Sequence, residues 1–531
     1  MKFRALSALL ASMLILGACA QTVPTPAAPT GGSLTEATTE TTTADNNGEE
    51  DTTLTQDSLV VIVPSMPISL DPHVSNDMAS ALVNIQMRET LLTRNWETAE
   101  IEPGLAVAWD MPDAQTVNMQ LRQGVYFHDG SPFTAHDVKF TLERAIASPG
   151  VRAIVEMIDE VVIHDDHDIT ILLNRPFAAI LAQLTHTATQ IVSENAVLSA
   201  GDNYHESPVG TGAFKFDNIV LGDRIEFVRF NNYWGEPAAV NELTFRVMPE
   251  AANRLIEVET GGADLAIGIN PNDIARIESS PNLELHRRMN VATQFIGFNT
   301  QVAPFDDPRV RQAINYAIDT DGLVDSVFMG SGQAVHGFLP DTIWAFVDLE
   351  PYTQNIERAQ ELMAEAGLAD GFSTTIWYNS DSQQRGDIAV IVQNQLRDIN
   401  IDVTVEAIEW GTYLSRLAAG EHDMFVLQWA NTTGEPDNAL FNVFHSSNHG
   451  APGNRQFYTN LYLDRLIEES RSELDHERRR ELFAEIQQII RDDAPLVFLH
   501  HGEDLVVSSP NVRGFEVLPT GAHLMRIVYF E

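Results

Sequence analysis

The sequence predicts a mixed α/β (α+β) protein folded in more than one lobe, and three observations carry that prediction. The chain has 531 residues, several times the length of one packed core at about 100 to 200 residues per domain. Its composition, 44% hydrophobic and 20% charged, is that of a folded globular protein rather than a disordered or membrane-embedded one. Stretches with the period of strands and stretches with the period of helices then mix irregularly, without the repeat of a barrel or of a single doubly wound sheet.

Charge excludes one class of partner. With 32 Lys+Arg against 75 Asp+Glu the net charge is −43, a field that repels phosphate backbones, so no nucleic acid is expected. Lys2, Lys139 and Lys215 are the only lysines. A salty habitat and genome composition account for the acidity equally well.

Taken in order, the chain opens with Lys2 and Arg4 ahead of an apolar run over residues 5–16. That run is too short for a transmembrane helix and has the layout of a secretory signal over residues 1–18. Leu16-Gly17-Ala18-Cys19 follows and resembles the lipobox of bacterial lipoproteins, in which cleavage before the cysteine leaves its thiol carrying lipid. Cys19 is the only cysteine, so no internal disulfide can form. A lipid anchor in the cell membrane is expected, with a free or intermolecular thiol as the alternative. Residues 19–57 are rich in Thr, Ala, Pro, Gly and acid; they lack the apolar side chains that would offset ordering entropy and read as a disordered tether.

Folded structure begins with Ser58-Leu59-Val60-Val61-Ile62-Val63, a β-branched run closed by Pro64 and therefore a buried strand. Residues 161–163 and 169–173 flank the polar His164-Asp165-Asp166-His167-Asp168 as a hairpin. Helices are expected over 307–318, 356–366, 388–399 and 475–491. The last has Leu482, Ile486, Ile489 and Ile490 at helical spacing, Asp475 as N-cap and Asp493-Ala494-Pro495 as its stop. A short strand, 496–499, follows.

Motifs of catalysis are scarce. The chain has no G-x-S-x-G elbow, H-E-x-x-H helix, cysteine metal site or phosphate-binding loop, so an enzyme is not expected, nor a metal or cofactor. The His164–Asp168 cluster has residue types that suit divalent ions, but at a hairpin tip it reads as a solvated turn. Gly210-Thr211-Gly212 lacks the third glycine and the acid of a dinucleotide site and reads as a turn. His500-His501 reads as packing or surface. Ser, His and Asp abound, so a dispersed triad leaves an extracytoplasmic hydrolase open as an alternative.

The run from Leu121-Arg122-Gln123-Gly124 through His128-Asp129-Gly130-Ser131-Pro132-Phe133 to Val138 reads physically as a strand, a tight Asp-Gly turn and a helix starting near Thr134. Together with Leu70-Asp71-Pro72-His73, Pro208-Val209-Gly210-Thr211-Gly212, Asn232-Tyr233-Trp234 and Pro304-Phe305-Asp306-Asp307-Pro308, it resembles the peptide-binding class (family 5) of bacterial ABC-transporter extracellular solute-binding proteins. The resemblance spans residues 58–531. It implies a two-lobed periplasmic-binding-protein-like fold with an additional smaller domain and a ligand cleft between the lobes. Lobe I would take 58–95, 205–295 and 500–531, the extra domain 96–204, and lobe III 296–499.

Within the second lobe, Gly371-Phe372, Glu409-Trp410-Gly411 and Thr432-Thr433-Gly434-Glu435 are similar to the dipeptide- and glutathione-binding members, and Ala439-Leu440 after Thr-Gly-Glu looks most like the glutathione branch. The resemblance implies a monomeric, lipid-anchored extracytoplasmic receptor that captures a short peptide, plausibly glutathione, and delivers it to the permease subunits of an ABC importer. The same scaffold binds nickel chelates, haem or oligosaccharides in other members, which stay open as alternatives. In dipeptide binders an aspartate three residues after the tryptophan matching Trp429 grips the free amine. Thr432 stands there in this chain, so a plain dipeptide is disfavoured. Arg385 lies in the loop that supplies a carboxylate-binding arginine; the other reading is a solvated arginine. Trp429 is a candidate for the ligand wall, with core packing as its alternative. Asn431, Thr433, Tyr378, Ser65 and Met66 complete the candidates.

Overall fold

The computed structural model describes residues 57–451 and 453–531. The expected secretory signal, Cys19 and the expected tether up to residue 56 lie outside the described residues. The strands that build the architecture are β1 (Ser58–Val63), β2 (Ala106–Asp113), β3 (Thr116–Leu121), β4 (Ile158–Asp165), β5 (Asp168–Leu173), β6 (Phe214–Val220), β7 (Arg224–Arg229), β8 (Glu242–Val247), β9 (Leu265–Ile267), β10 (Glu284–Phe298), β11 (Phe372–Asn379), β12 (Ile401–Ile408), β13 (Met424–Ala430) and β14 (Leu496–Ser508).

From Leu59 on, β1 is apolar: it is a central strand, pairing in parallel with β8 and β9, with both faces covered. Leu59, Val61 and Val63 enter one core, and Ile62 enters another on the opposite face. The large sheet has eleven strands in the order β12-β11-β13-β10-β14-β9-β1-β8-β7-β6, with the two-residue strand Gln333–Ala334 pairing β14 off that path. At one end β11 pairs β12 and β13 in parallel; at the other, β6, β7 and β8 form an antiparallel meander.

Two long strands join the ends. β10 and β14 run antiparallel from Glu284 opposite Ser508 to Gly297 opposite Leu496, with the register broken between Met289 and Thr293. The expected boundaries 295/296 and 499/500 fall inside these strands, so the chain crosses the molecule as extended strand and not as loop. The short strand expected at 496–499 continues to Ser508. Its polar middle, His500 to Asp504, weakens the hydrophobic signal that Leu505, Val506 and Val507 then restore.

The expected helices are present with adjusted ends. Pro308–Ala317 is capped by Asp307, which accepts from Arg309 N, and His476–Asp493 by Asp475. The latter stops at Ala494, in the left-handed region at φ 48°. Ile356–Glu365 is as expected. The helix expected to begin at 388 begins at Gln383, because Ser382 caps it, and ends in a 3₁₀ turn, Leu396–Ile399.

A separate sheet, β2-β3-β5-β4, carries the expected hairpin, with His164 Nε2 2.8 Å from Thr170 Oγ1. Beside it, Thr134 and Asp137 form a capping box on the helix Ala135–Ala147. The Gly210-Thr211-Gly212 turn returns the chain to the large sheet. A Cβ at Gly210 would lie 1.9 Å from Met87 O, so only glycine fits this approach to the helix Met78–Met87.

This smaller unit is tied to the far end of the large sheet by a buried guanidinium. Arg471, fully buried, donates from Nη1 to Glu156 Oε1 at 2.9 Å and lies 3.5 Å from the Phe441 ring centroid. Its Nε is 2.9 Å from Asp437 Oδ1, off the N–H direction, so that contact is ionic; Gln183 Nε2 donates to Asp437 Oδ2 at 3.2 Å. Truncating one partner of such a pair strands the other's charge. Arg471→Met is therefore expected to cost about 3 to 5 kcal/mol, read as a lowered midpoint in chemical denaturation. An unchanged midpoint would show that the junction adds nothing to stability.

Candidate ligand-binding site

A cavity of about 590 Å³ lies where the two ends of the large sheet face each other. Ser65, Met78 and Arg254 line it from one end, and Tyr378, Arg385 and Trp410 from the other. The long strands supply its floor. Gln428 on β13, Gln294 on β10 and His500 on β14 all line it, and they stand side by side in register across the sheet. Polar contacts span it: Asn270 Nδ2 to Gln383 Oε1 and Trp410 Nε1 to Asp77 Oδ1, both at 3.4 Å.

Arg385 sits in the first turn of the helix Gln383–Gln395 rather than in a loop, and it is buried rather than solvated. Its Nη1 donates to Asn379 Oδ1 at 2.5 Å, and its guanidinium lies 5.8 Å from the Trp410 ring centroid. Among the described residues no carboxylate comes within 4.0 Å of it. Burial lowers its pKa, a trend that Tyr413 and Asp381 oppose.

Arg254 is the second cation of the cavity. It donates to the Met248 and Pro249 carbonyls at 2.8 and 2.5 Å and to the Gly268 carbonyl. Burial pulls it down to about 10. Asp504 is the deepest acid: burial pushes it up to about 6, against the hydrogen bond from Asn290 Nδ2 to its Oδ1 at 2.9 Å. His500, read from sequence as packing or surface, is packing and wall together. It stacks on Phe328 with centroids 3.7 Å apart, and its Nε2 lies 2.7 Å from Ser331 O. Burial lowers it to about 4, so its ring is neutral at ordinary pH.

Of the residues singled out by sequence, the structure brings Ser65, Tyr378 and Arg385 together on this cavity. Thr432 lines a second cavity of about 430 Å³, which shares Met78 with the first. Met66, Trp429, Asn431 and Thr433 line neither. Met66 packs against the core around β1, and Trp429 against that of the far end. Asn431 is buried, its backbone N donating to Val291 O at 2.8 Å. Thr433 passes its carbonyl to Arg94 Nη1 at 2.8 Å. Strand parity explains the miss on β13: successive side chains alternate faces, so Gln428 reaches the cavity and Trp429 points away. Sequence reasoning also passed over Arg254, Asn290, Gln294, Trp410 and Asp504. For Asn290, Gln294 and Asp504 the available signal was polar residues interrupting strand sequence; Arg254 and Trp410 lie on helices, where no such signal exists.

The comparisons agree with this architecture. Residues 100–451, more than half of the chain, match the model of the bacterial extracellular solute-binding proteins, family 5. The glutathione-binding protein GsiB of Pectobacterium atrosepticum is 31% identical over 473 residues, covering 87% of this chain and 91% of its own. Heme-binding protein A of Haemophilus influenzae is 29% identical and covers 98% of both chains. The structure of the periplasmic binding protein DppA from Helicobacter pylori, in complex with the peptide STSA, superposes with a TM-score of 0.84 at 30% identity, covering 90% of this chain and 98% of that one. Near-equal identities to relatives named for different ligands leave the ligand to the site itself. The family model, the two-lobed fold and the cavity between its lobes agree: this chain belongs to the bacterial extracellular solute-binding proteins, family 5.

Proposed function

We propose that the protein is the lipid-anchored, extracytoplasmic receptor of an ABC importer, capturing a short peptide, glutathione foremost, by closure of its lobes and passing it unaltered to the permease. In this proposal lobe I comprises 58–95, 205–295 and 500–531, the extra domain 96–204, and lobe III 296–499. One observation carries the reading: the buried guanidinium of Arg385 faces a cavity walled by both ends of the sheet and has no carboxylate of its own. A planar fork in that position suits a ligand carboxylate bidentately. A volume of about 590 Å³ is within the usual range for small-molecule sites. The printed names of the glutathione-binding relative and of the peptide-bound neighbour support a peptide.

Haem is the second reading, because the haem-binding relative matches the chain end to end and propionates would also suit Arg385. Against it, His523 at the cavity accepts from Leu518 N on Nδ1. Its proton therefore sits on Nε2, leaving His523 no lone pair for iron, whereas His500, protonated on Nε2 toward Ser331 O, keeps one on Nδ1 but is stacked on Phe328. A visible absorption band or stoichiometric iron in the purified protein would favour haem.

Three outcomes are expected. Saturating glutathione should reduce the radius of gyration in solution scattering, since a ligand that touches both lobes favours the closed form; binding without any change would contradict closure. Arg385→Ala should weaken glutathione binding in calorimetry by about thirtyfold to several thousandfold, or ~2 to 5 kcal/mol, and Arg385→Lys should recover only part; parental affinity in Arg385→Ala would remove this residue from the site. Cys19→Ala should leave the protein unprocessed or release it to the soluble fraction. A matured, membrane-bound variant would refute the anchor.

A further inference from the structure

The cavity holds a carboxylate oxygen that nothing above uses. Asp504 stands where the β10–β14 ladder breaks, with residues 290–292 bulging opposite Gly502. Asn290 braces the place twice: its Nδ2 donates to Asp504 Oδ1 at 2.9 Å, and its Oδ1 accepts from Ala292 N at 3.0 Å. Asp504 Oδ2 is buried and has no hydrogen-bond partner. Among the described residues no Arg, Lys or His nitrogen lies within 4.0 Å of this carboxylate. A buried ionised oxygen left without a donor is strongly unfavourable, and here the bracing through Oδ1 holds it in place.

One flexible side chain, Met78, closes the approach to this oxygen. Gly521 borders the spot, and a Cβ there would lie 3.2 Å from Met78 Sδ and 3.6 Å from Asp504 Oδ2. Met78 lines the cavity, and its unbranched thioether is readily displaced. The charge balance points the same way. Glu250, Asp381, Asp387 and Asp504 line the cavity against Arg254 and Arg385, while Glu503 is already engaged by Arg287 at 2.5 Å.

We infer that Asp504 is a cation subsite: its free oxygen receives a primary ammonium group of the ligand at the point where β10 and β14 cross between the lobes. The inference rests on the proposed reading of the cavity as a peptide site and adds a specificity to it. The ligand is zwitterionic, with a carboxylate toward Arg385 and its amine at Asp504. The ammonium supplies the donor that the fold omits, and it does so on the strands around which the lobes close, so binding and closure are linked at one residue.

Calorimetry on the full chain tests this with four probes: glutathione, Ala-Ala and the N-acetylated form of each. In the parent, N-acetylation should weaken binding about thirtyfold or more. Asp504→Asn keeps the size and the Asn290 contact but removes the charge. It should lose a similar factor for the free-amine peptides and almost nothing for the acetylated ones, so the two changes are not additive. Met78→Lys, which places a tethered ammonium beside Oδ2, should likewise abolish the preference for a free amine and serves if Asp504→Asn does not fold. A parent indifferent to N-acetylation, or variants that discriminate as the parent does, would overturn the subsite while leaving the peptide receptor standing. If the parent binds none of the four, the peptide reading has failed, and putrescine and alanine amide become the probes. Their binding by the parent and loss in Asp504→Asn would uphold the subsite; no binding would overturn it too.

Discussion

The structure depends on one constraint: the strands β10 and β14 must belong to both lobes at once. Their apolar ends are buried in different cores. Phe295, Ile296 and Phe298 of β10, with Leu496, Val497, Phe498 and Leu499 of β14, pack into the cores at the far end. Leu505, Val506 and Val507 of β14 pack into those around β1. The middle of β14 is polar, His500 to Asp504, and β10 sets Asn290 and Gln294 beside it. Polar side chains in a central sheet sacrifice burial energy, and these are the ones at the cavity floor. The connection that joins the two ends thus also supplies the floor of the cavity.

Two buried guanidinium groups differ in how their charge is met. Arg471 has a carboxylate on each side and an aromatic face against it; its charge is balanced within the protein, and it fastens the smaller unit to the rest. Arg385 is as well buried, yet it has an amide oxygen, an indole at a distance and no carboxylate among the described residues. Burying a charge without its counter-ion is costly, and a cavity beside it is where a counter-ion from outside can enter. The proposed ligand carboxylate would be that counter-ion.

Much of the fold was legible in the sequence because local chemistry dictated it. Asp307, Asp475 and Thr134 announced helix starts through their capping side chains, the alternation around His164–Asp168 announced a hairpin, and the unbroken apolar run of β1 announced a strand buried on both faces. The long strand β14 was cut short because its polar middle imitates a loop; the lobe boundaries, carried over from the family, fall within strands that the sequence does not show as continuous. The site was half legible. Ser65, Tyr378 and Arg385 were named through likeness to the family and line the cavity, whereas Trp429, Asn431, Thr432 and Thr433 were chosen over Gln428, since nothing local reveals which face of a strand turns toward a cleft. Asn290, Gln294, His500 and Asp504 meet only after the two strands pair, across more than 200 residues of chain.

The central claim, capture of a small zwitterionic peptide without chemistry, is tested most directly by native mass spectrometry of the protein isolated from its own cell envelope with no ligand added. The account gives a single noncovalent adduct of peptide mass, released unchanged on denaturation. An adduct with the mass of haem, a metal chelate or a sugar, or release of a hydrolysed product, would contradict it.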